Sequence, residues 1–187
     1  MQLRITNIKY RFRIKPFAVS LTRYKAPEGV TLRKRGSNFI SLKTALAYYI
    51  IFSSGGSKSG DVNICGSQRL QTMYDAQREV YALIFPMIER PAKLPRLKID
   101  NITLSGTLTG PPIRDFYRFL LEVENLFPGA ALSYCPLRFT GGAIKLSIGT
   151  LVLFSSGRFN LMGLRKLKHI KTAAQCLNRV EALRQGL

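Results

Sequence analysis

Hydrophobic and polar residues alternate without exception along the segment that begins at Asn7 and ends at Ile14. The apolar side consists of Ile8, Tyr10, Phe12 and Ile14. The polar, basic side consists of Asn7, Lys9, Arg11 and Arg13. Successive side chains of a β-strand point to opposite faces of the sheet. The segment is therefore predicted to be a half-buried strand with a basic outer face.

A change to helical spacing follows Gly66. Ser67 stands where an N-cap residue belongs, and apolar residues recur at helical spacing from Leu70 to Ile84, just before Pro86. Such a stripe is typical of an amphipathic helix that covers a core. We expect a long helix that begins after Ser67 and ends before Pro86.

Two more helices are predicted in the second half of the chain. After Pro112, which suits the first turn of a helix, apolar spacing from Ile113 to Leu121 predicts a helix that ends near Asn125. A final amphipathic helix, surrounded by Lys and Arg, is expected from Leu164 to Leu183.

The remaining segments are interpreted as strands and connections. Strands are expected at 39–42, 47–52, 62–66 and 101–108 and around Ile148 and Val152. The segment 16–24 suggests one or two helical turns, and 25–36 is polar, basic and typical of a connection. Flexible tips are expected at 55–61 and at 140–142.

The chain contains an internal duplication. An apolar strand that ends in Phe-Ser-Ser-Gly occurs at 50–55 and again at 151–157, and the pattern of 3–8 returns at 97–102. We therefore predict two repeats, 1–90 and 91–187, that together form one domain. The segment 90–95, with two prolines, is the expected boundary.

Composition adds a strong positive charge to this picture. The 187 residues include 29 Lys and Arg against 10 Asp and Glu, a net charge of +19, and 46% are hydrophobic. Such a field favours a polyanionic partner. Nucleic acid is preferred to a membrane because the longest apolar run, 45–52, is too short to span a bilayer. The three cysteines, without C-x-x-C spacing, predict reduced thiols and neither a disulfide framework nor a zinc site.

Four features in this order resemble the core domain of TATA-box-binding proteins. They are the Asn-Ile pair in each half (Asn7 and Asn101), the Phe-Ser-Ser-Gly turns, the segment 126–129 (Leu-Phe-Pro-Gly) and a glycine before each long helix (Gly66 and Gly163). The resemblance covers nearly the full chain. It implies an α+β fold: a pseudo-twofold saddle of two repeats, with a curved antiparallel sheet and long helices on its convex face.

The resemblance also implies a function. Family members bind the minor groove of promoter DNA, insert phenylalanines between base steps and bend the duplex, so we expect a DNA-bending transcription initiation factor. By position, the inserted rings would be Phe39 with Phe52 and Phe127 with Phe154. The other expected DNA contacts are Asn7, Lys9, Arg11, Arg13, Ile50, Asn63, Cys65, Asn101, Thr103, Val152, Arg158, Asn160 and Met162.

Two departures from the family pattern bear on sequence preference. Asn63 and Asn160 replace apolar residues of the family's DNA-facing strands. An amide can accept from the guanine N2 amino group as well as donate to the acceptors of A·T pairs. We therefore expect the preferred site to tolerate G·C pairs.

The implied partners are promoter DNA, bound by a monomer, and a B-type general initiation factor with its RNA polymerase, docked at Asn125, Leu126 and Phe127. A protein-interaction scaffold without DNA bending is the alternative.

The only histidine, His169, lies in a basic run and no catalytic motif is present, so we expect neither an enzyme nor a metal or cofactor. The expected location is the nucleus, with an archaeal cell or a cytoplasmic viral transcription site as alternatives.

Overall fold

A computed structural model of the protein describes residues 1–15, 21, 24–54, 59–87 and 94–186. The first half contains β1 (Gln2–Ile14), β2 (Thr31–Arg35), β3 (Phe39–Lys43), β4 (Tyr48–Ser54), β5 (Ser59–Ser67), α1 (Leu70–Ile84) and a 3₁₀ turn (Phe85–Met87). The second half contains β6 (Lys98–Thr107), α2 (Phe116–Asn125), β7 (Ala131–Ser133), β8 (Gly142–Leu146), β9 (Gly149–Leu153), β10 (Arg158–Leu164) and α3 (Lys168–Gln185).

The chain divides into two compact units, named here the N-unit (Asn7–Asp100) and the C-unit (Met1–Thr6 with Asn101–Leu187). In the N-unit the strands follow the order β2-β3-β4-β5-β1, and all neighbours are antiparallel. The alternation at the start of the chain has the predicted consequence: Ile8, Tyr10, Phe12 and Ile14 are buried, on the side of the sheet that α1 covers.

The C-unit repeats this arrangement with the order β6-β10-β9-β8-β7, again antiparallel. Helices α2 and α3 pack against strands β8 and β10. Buried apolar side chains of α2 and α3, among them Phe119, Leu120, Leu177 and Val180, form its core with those of the sheet, such as Leu161. The predicted α+β class, with antiparallel strands and helices, is confirmed.

Several sequence-based boundaries were wrong for identifiable reasons. The basic segment predicted as a connection contains β2, which pairs with β3 at the edge of the sheet. The predicted tip 55–61 is shorter, since β5 begins at Ser59 and pairs with β4. Ile148 lies in the turn between β8 and β9.

Helix starts also differ from the prediction. Ser67 is the last residue of β5, and its hydroxyl meets Tyr10 Oη at 3.1 Å instead of capping α1. Helix α2 begins four residues after Pro112, because the Asp115 carboxylate accepts from Arg118 N at 3.1 Å and forms the cap. Leu164 belongs to β10, so α3 begins only at Lys168.

Some predictions lie outside the described residues. These are most of the helical segment 16–24, part of the tip 55–61, and residues 90–93 of the expected repeat boundary. The repeat limits 1–90 and 91–187 therefore stay a prediction. Among the described helices, none has the length and apolar content that a membrane crossing requires.

Candidate nucleic-acid interface

In each unit one side of the sheet is covered by helices. Among the described residues no helix covers the other side, which is named here the open face. In the N-unit, strand pairing places Arg11, Asn63 and Ile50 side by side across β1, β5 and β4. Directly paired residues of antiparallel strands share a face. In the C-unit the same register gives the row Ser105, Asn160 and Val152 across β6, β10 and β9.

The open face of the N-unit carries ion pairs. Arg13 Nε and Nη2 donate to the two carboxylate oxygens of Asp61 at 2.8 and 2.9 Å, and Arg11 Nε lies 3.2 Å from Asp100 Oδ1. The Asp61 hydrogen bond and charge raise the pKa of Arg13. The predicted basic face is thus present, but both arginines share it with a carboxylate.

The open face of the C-unit is polar without charge at the corresponding positions. Thr6 Oγ1 lies 3.0 Å from Ser105 Oγ, and Ser105 Oγ donates to Asn160 Oδ1 at 2.6 Å. Thr103 is half-buried beside them, and its Oγ1 accepts from Asn101 Nδ2 at 3.2 Å. The two open faces therefore share a strand register but differ in their polar groups.

Asn7 and Asn101 have the same structural role in the two units. Asn7 Oδ1 accepts from Gly66 N at 2.8 Å, and Asn101 Oδ1 accepts from Gly163 N at 2.5 Å. Both glycines have positive φ, 97° and 91°, and both stand where the strand pairing shifts register. Because a backbone N–H needs an acceptor, each amide is fixed with its oxygen towards the bulge and its NH₂ group as a donor, although one N–H of Asn101 already goes to Thr103 Oγ1.

Each open face carries a pair of phenylalanine rings. In the N-unit, Phe39 and Phe52 are paired residues of β3 and β4 with ring centroids 5.9 Å apart. In the C-unit, the ring beside Phe154 is Phe139, with centroids 5.7 Å apart and edge-to-face geometry. Phe52 and Phe139 are 37% and 51% exposed. Large apolar rings left in solvent in this way are candidate contacts for a partner.

Comparison with solved structures identifies this arrangement. The structure of "Methanococcus jannaschii TBP" matches with a TM-score of 0.67 and 17% identity, over 97% of this chain and 99% of that chain. The chain has the fold of TBP, the TATA-box-binding protein. No protein-family model and no curated protein matches its sequence. The resemblance inferred from the sequence is therefore confirmed for the fold.

Phe139 is the ring beside Phe154 that sequence reasoning missed on this TBP fold. The Leu-Phe-Pro-Gly string led to Phe127, yet the Phe127 ring lies under the Arg179 guanidinium, 4.9 Å from its centroid. A signal was present, since a phenylalanine precedes the Phe-Ser-Ser-Gly turn by a similar distance in both halves, at 39 and at 139. Gly141 permits the close approach, because an added Cβ would lie 2.7 and 2.9 Å from the Phe139 and Phe154 rings.

Asn125, Leu126 and Phe127 directly follow one another at the end of α2. Asn125 is exposed, whereas Leu126 and Phe127 are half-buried. Arg179 of α3 holds this corner, donating to Leu126 O at 2.8 Å while its guanidinium covers Phe127. The loop between β7 and β8, by contrast, contains Phe139 and the almost fully exposed Leu137.

The other predicted contacts lie on the same strands. Cys65 lies in β5 and Met162 lies in β10. Burial raises the pKa of the Cys65 thiol; the charge of Asp100 raises it further, and the charge of Lys9 lowers it.

Arg158 lines a cavity of about 730 Å³ in the C-unit, together with Arg4, Asn160 and Phe154. No carboxylate lines this cavity, so its charge favours an anion such as a phosphate.

Proposed function

We propose that the protein binds the minor groove of promoter DNA, bends the duplex and nucleates assembly of an RNA polymerase. The observation that carries this proposal is the presence of one phenylalanine pair on the open face of each unit, Phe39 with Phe52 and Phe139 with Phe154, on a TBP fold. A flat apolar ring that enters a base step replaces part of the lost stacking, and the bent duplex then covers more protein surface.

Polar groups of the open faces complete the interface. The NH₂ groups of Asn7 and Asn101 supply donors for adenine N3 and thymine O2, the acceptors of the A·T minor groove. The net charge of +19 supplies the attraction to phosphates that any duplex offers. The rings thus deform the duplex, the amides select bases, and the cations provide sequence-independent affinity.

Alanine substitution of the ring pairs tests the proposal. We expect Phe52→Ala and Phe154→Ala, and Phe139→Ala as well, to reduce the bend measured by end-to-end energy transfer while thermal unfolding changes less. Tyr74→Ala removes a ring that is 50% exposed on α1 and is the matched control. Unchanged bending in all three phenylalanine variants would reject the assignment.

A protein-interaction scaffold is the second candidate, and one observation favours it. Asp61 and Asp100 place carboxylates on the open face of the N-unit, where a phosphate backbone would be repelled. A salt titration separates the candidates, because phosphate contacts give log K a steep negative slope against log salt concentration. Because the net charge of +19 attracts any duplex at low salt, a scaffold would be recognised by an unbent duplex there and by the loss of measurable affinity at physiological salt.

The proposed protein partner is a B-type general initiation factor docked at the end of α2, and the proposed place of action is the nucleus. Asn125 offers an exposed amide there, beside the half-buried Leu126. Asn125→Ala with Leu126→Ala should keep DNA binding and lose the ternary complex in a gel-shift assay. Retention of the ternary complex would place the docking surface elsewhere.

A further inference from the structure

Four exposed cations lie close together at the start of α3. This cluster, named here the α3 patch, consists of Arg165, Lys166, Lys168 and Lys171. In the described part of the chain none of the four forms an ion pair, and the only carboxylate of α3, Glu181, lies almost three turns further on and is bound to Thr109 N. The α3 patch therefore has no counter-charge of its own.

The placement of these cations opposes helix stability. The N-terminal end of a helix carries partial positive charge, so acidic side chains stabilise it and cations destabilise it. Helix α3 has no acidic residue in its first turn and no side-chain cap, because Leu167 stands at the N-cap position. Local rules broken in this way, without compensation in the fold, are a mark of functional surfaces.

The α3 patch lies on the helix side of the C-unit. Helix α3 buries Ala173, Leu177 and Val180 against the sheet. In β10, Phe159 and Leu161 are buried on that side, and Asn160 belongs to the open face through its pairing with Ser105. A duplex lying on the open face of the C-unit would therefore leave the α3 patch unoccupied.

The character of the surface favours phosphates as its ligand. Protein partners are held mainly by apolar and aromatic anchors, and the only large exposed apolar side chain within the patch is Leu167, at 42% exposure. A phosphate backbone needs only cations and the free N–H groups of a helix N-terminus. We propose that the α3 patch is a second, sequence-independent binding surface for the phosphates of a nucleic acid, separate from the open faces.

The test uses a variant that replaces all four cations with glutamine: Arg165→Gln, Lys166→Gln, Lys168→Gln and Lys171→Gln. A control variant removes four exposed cations elsewhere and has the same net charge: Arg78→Gln, Arg96→Gln, Arg114→Gln and Arg118→Gln. Affinity for a duplex of random sequence is measured against salt concentration. Each phosphate contact contributes roughly 0.9 to the slope, so we expect the patch variant to lose about 2 to 4 units and the control to lose less.

A bridging assay gives a second readout. Parent protein bound to an immobilised duplex should capture a second, labelled duplex, and the patch variant should lose this capture while retaining the first duplex. In a background that carries Phe52→Ala and Phe154→Ala, the four glutamines should lower the salt slope by the same amount as in the parent, so failure of the bending proposal and failure of this one remain distinguishable. Equal slopes and equal capture in the patch and control variants would overturn the proposal. Patch-dependent binding of poly-glutamate without capture of DNA would overturn it in favour of an acidic protein.

Discussion

At the residue scale, Asn7 and Asn101 have a structural role, and we propose that they also recognise bases. The oxygen of each amide accepts from a glycine N–H at a strand irregularity, which leaves the NH₂ group as the donor. In Asn101 one of the two NH₂ hydrogens is already used by Thr103 Oγ1, so one remains for a partner. Asn7→Asp and Asn101→Asp should keep one oxygen as the acceptor for the glycine N–H. The second oxygen would replace the NH₂ donor, so an acceptor would face the acceptors of the minor groove. Since a lost hydrogen bond costs roughly 1 kcal/mol and two acceptors repel, we expect affinity for A·T duplexes to fall about tenfold or more.

Asn7→Ala and Asn101→Ala provide the comparison. These variants remove the acceptor for Gly66 N or Gly163 N, so they should lower the free energy of unfolding more than the aspartate variants do. Fluorescence anisotropy with A·T duplexes and urea unfolding measure the two effects. Aspartate variants that bind as tightly as the parent would show that these amides do not contact the bases.

The residues Phe127 and Phe139 show where sequence reasoning reached its limit. Duplicated strings identified Phe52 and Phe154, because both copies keep the same local sequence. Phe139 has no such string around it; its place beside Phe154 depends on the pairing of β8 with β9, which begins with Gly142 opposite Leu153. Long-range register of this kind is set by the folded sheet and not by local residue preference.

At the element scale, β1 carries the cations with which we propose that the N-unit holds phosphate. Arg11 and Arg13 project onto its open face, whereas the C-unit has Ser105 and Thr107 at the corresponding positions of β6. Converting both arginines to serine should flatten the salt slope of duplex binding by about one to two units. Thr103→Ala with Thr107→Ala removes no charge and should leave the slope unchanged.

The two aspartates that pair with these arginines, Asp61 in β5 and Asp100 in β6, allow an opposite test. Asp61→Ser with Asp100→Ser frees both arginines and removes two negative charges, so affinity at low salt should rise. If the arginine variant keeps the parent's salt dependence, the ion pairs hold these side chains away from phosphate.

Helix α3 is tied to the loop after β6 by Glu181. Both carboxylate oxygens accept from Thr109 N, at 3.0 and 3.1 Å. Burial acts to raise the pKa of Glu181, but hydrogen bonds from Thr109 and the Met1 ammonium outweigh it, so the pKa lies below the ordinary 4.5. A depressed folded pKa means that this stabilisation is present above about pH 4.5 and is lost as the pH falls through the folded pKa.

Glu181→Gln should therefore lower the free energy of unfolding by about 1–3 kcal/mol at neutral pH. The difference between the variant and the parent should shrink as the pH is lowered below about 4. Urea unfolding of both proteins at a series of pH values measures it. A difference that is independent of pH would mean that the charge of Glu181 contributes nothing.

Elements with strong periodicity were predictable, and elements defined by tertiary contacts were not. The alternation of β1 and the apolar stripe of α1 were recognised because burial on one face imposes them. Strand β2, whose burial pattern is mostly exposed, shows no such alternation. It is an edge strand, and cations on an edge strand discourage pairing with other molecules, which is why its sequence resembles a connection.

At the scale of the whole molecule, the two units share a strand order and register but differ in their polar groups. Asn63 and Asn160 occupy equivalent rows, between β1 and β4 in one unit and between β6 and β9 in the other. Their surroundings differ: Asn160 accepts from Ser105, whereas among the described residues Asn63 has no side-chain hydrogen bond. The sequence identified both asparagines as candidate contacts, but it could not predict that Ser105 fixes the amide of Asn160 while Asn63 has no such partner in the part of the chain that the structure describes.

This difference predicts an asymmetric binding site. An amide whose oxygen is occupied presents only donors and suits A·T acceptors, while a free amide can turn and accept from the guanine N2 amino group. Because Asn63 has no side-chain hydrogen bond within the described part of the chain and Asn160 has one, we expect G·C pairs to be tolerated in the half of the site that the N-unit contacts. Selection from a randomised duplex pool with the parent protein should give a consensus with G·C pairs at one end only.

Two variants assign that end to a unit. Asn63→Val removes the free amide and should convert the consensus to uninterrupted A·T pairs. Ser105→Ala removes the hydrogen bond that holds Asn160 and should extend the tolerance of G·C pairs to the other end. The preference for A·T over G·C pairs at that end should weaken by roughly 1 kcal/mol, the contribution of one hydrogen bond. A parent consensus made of A·T pairs throughout, or one that stays the same in both variants, would mean that these asparagines do not set the sequence preference.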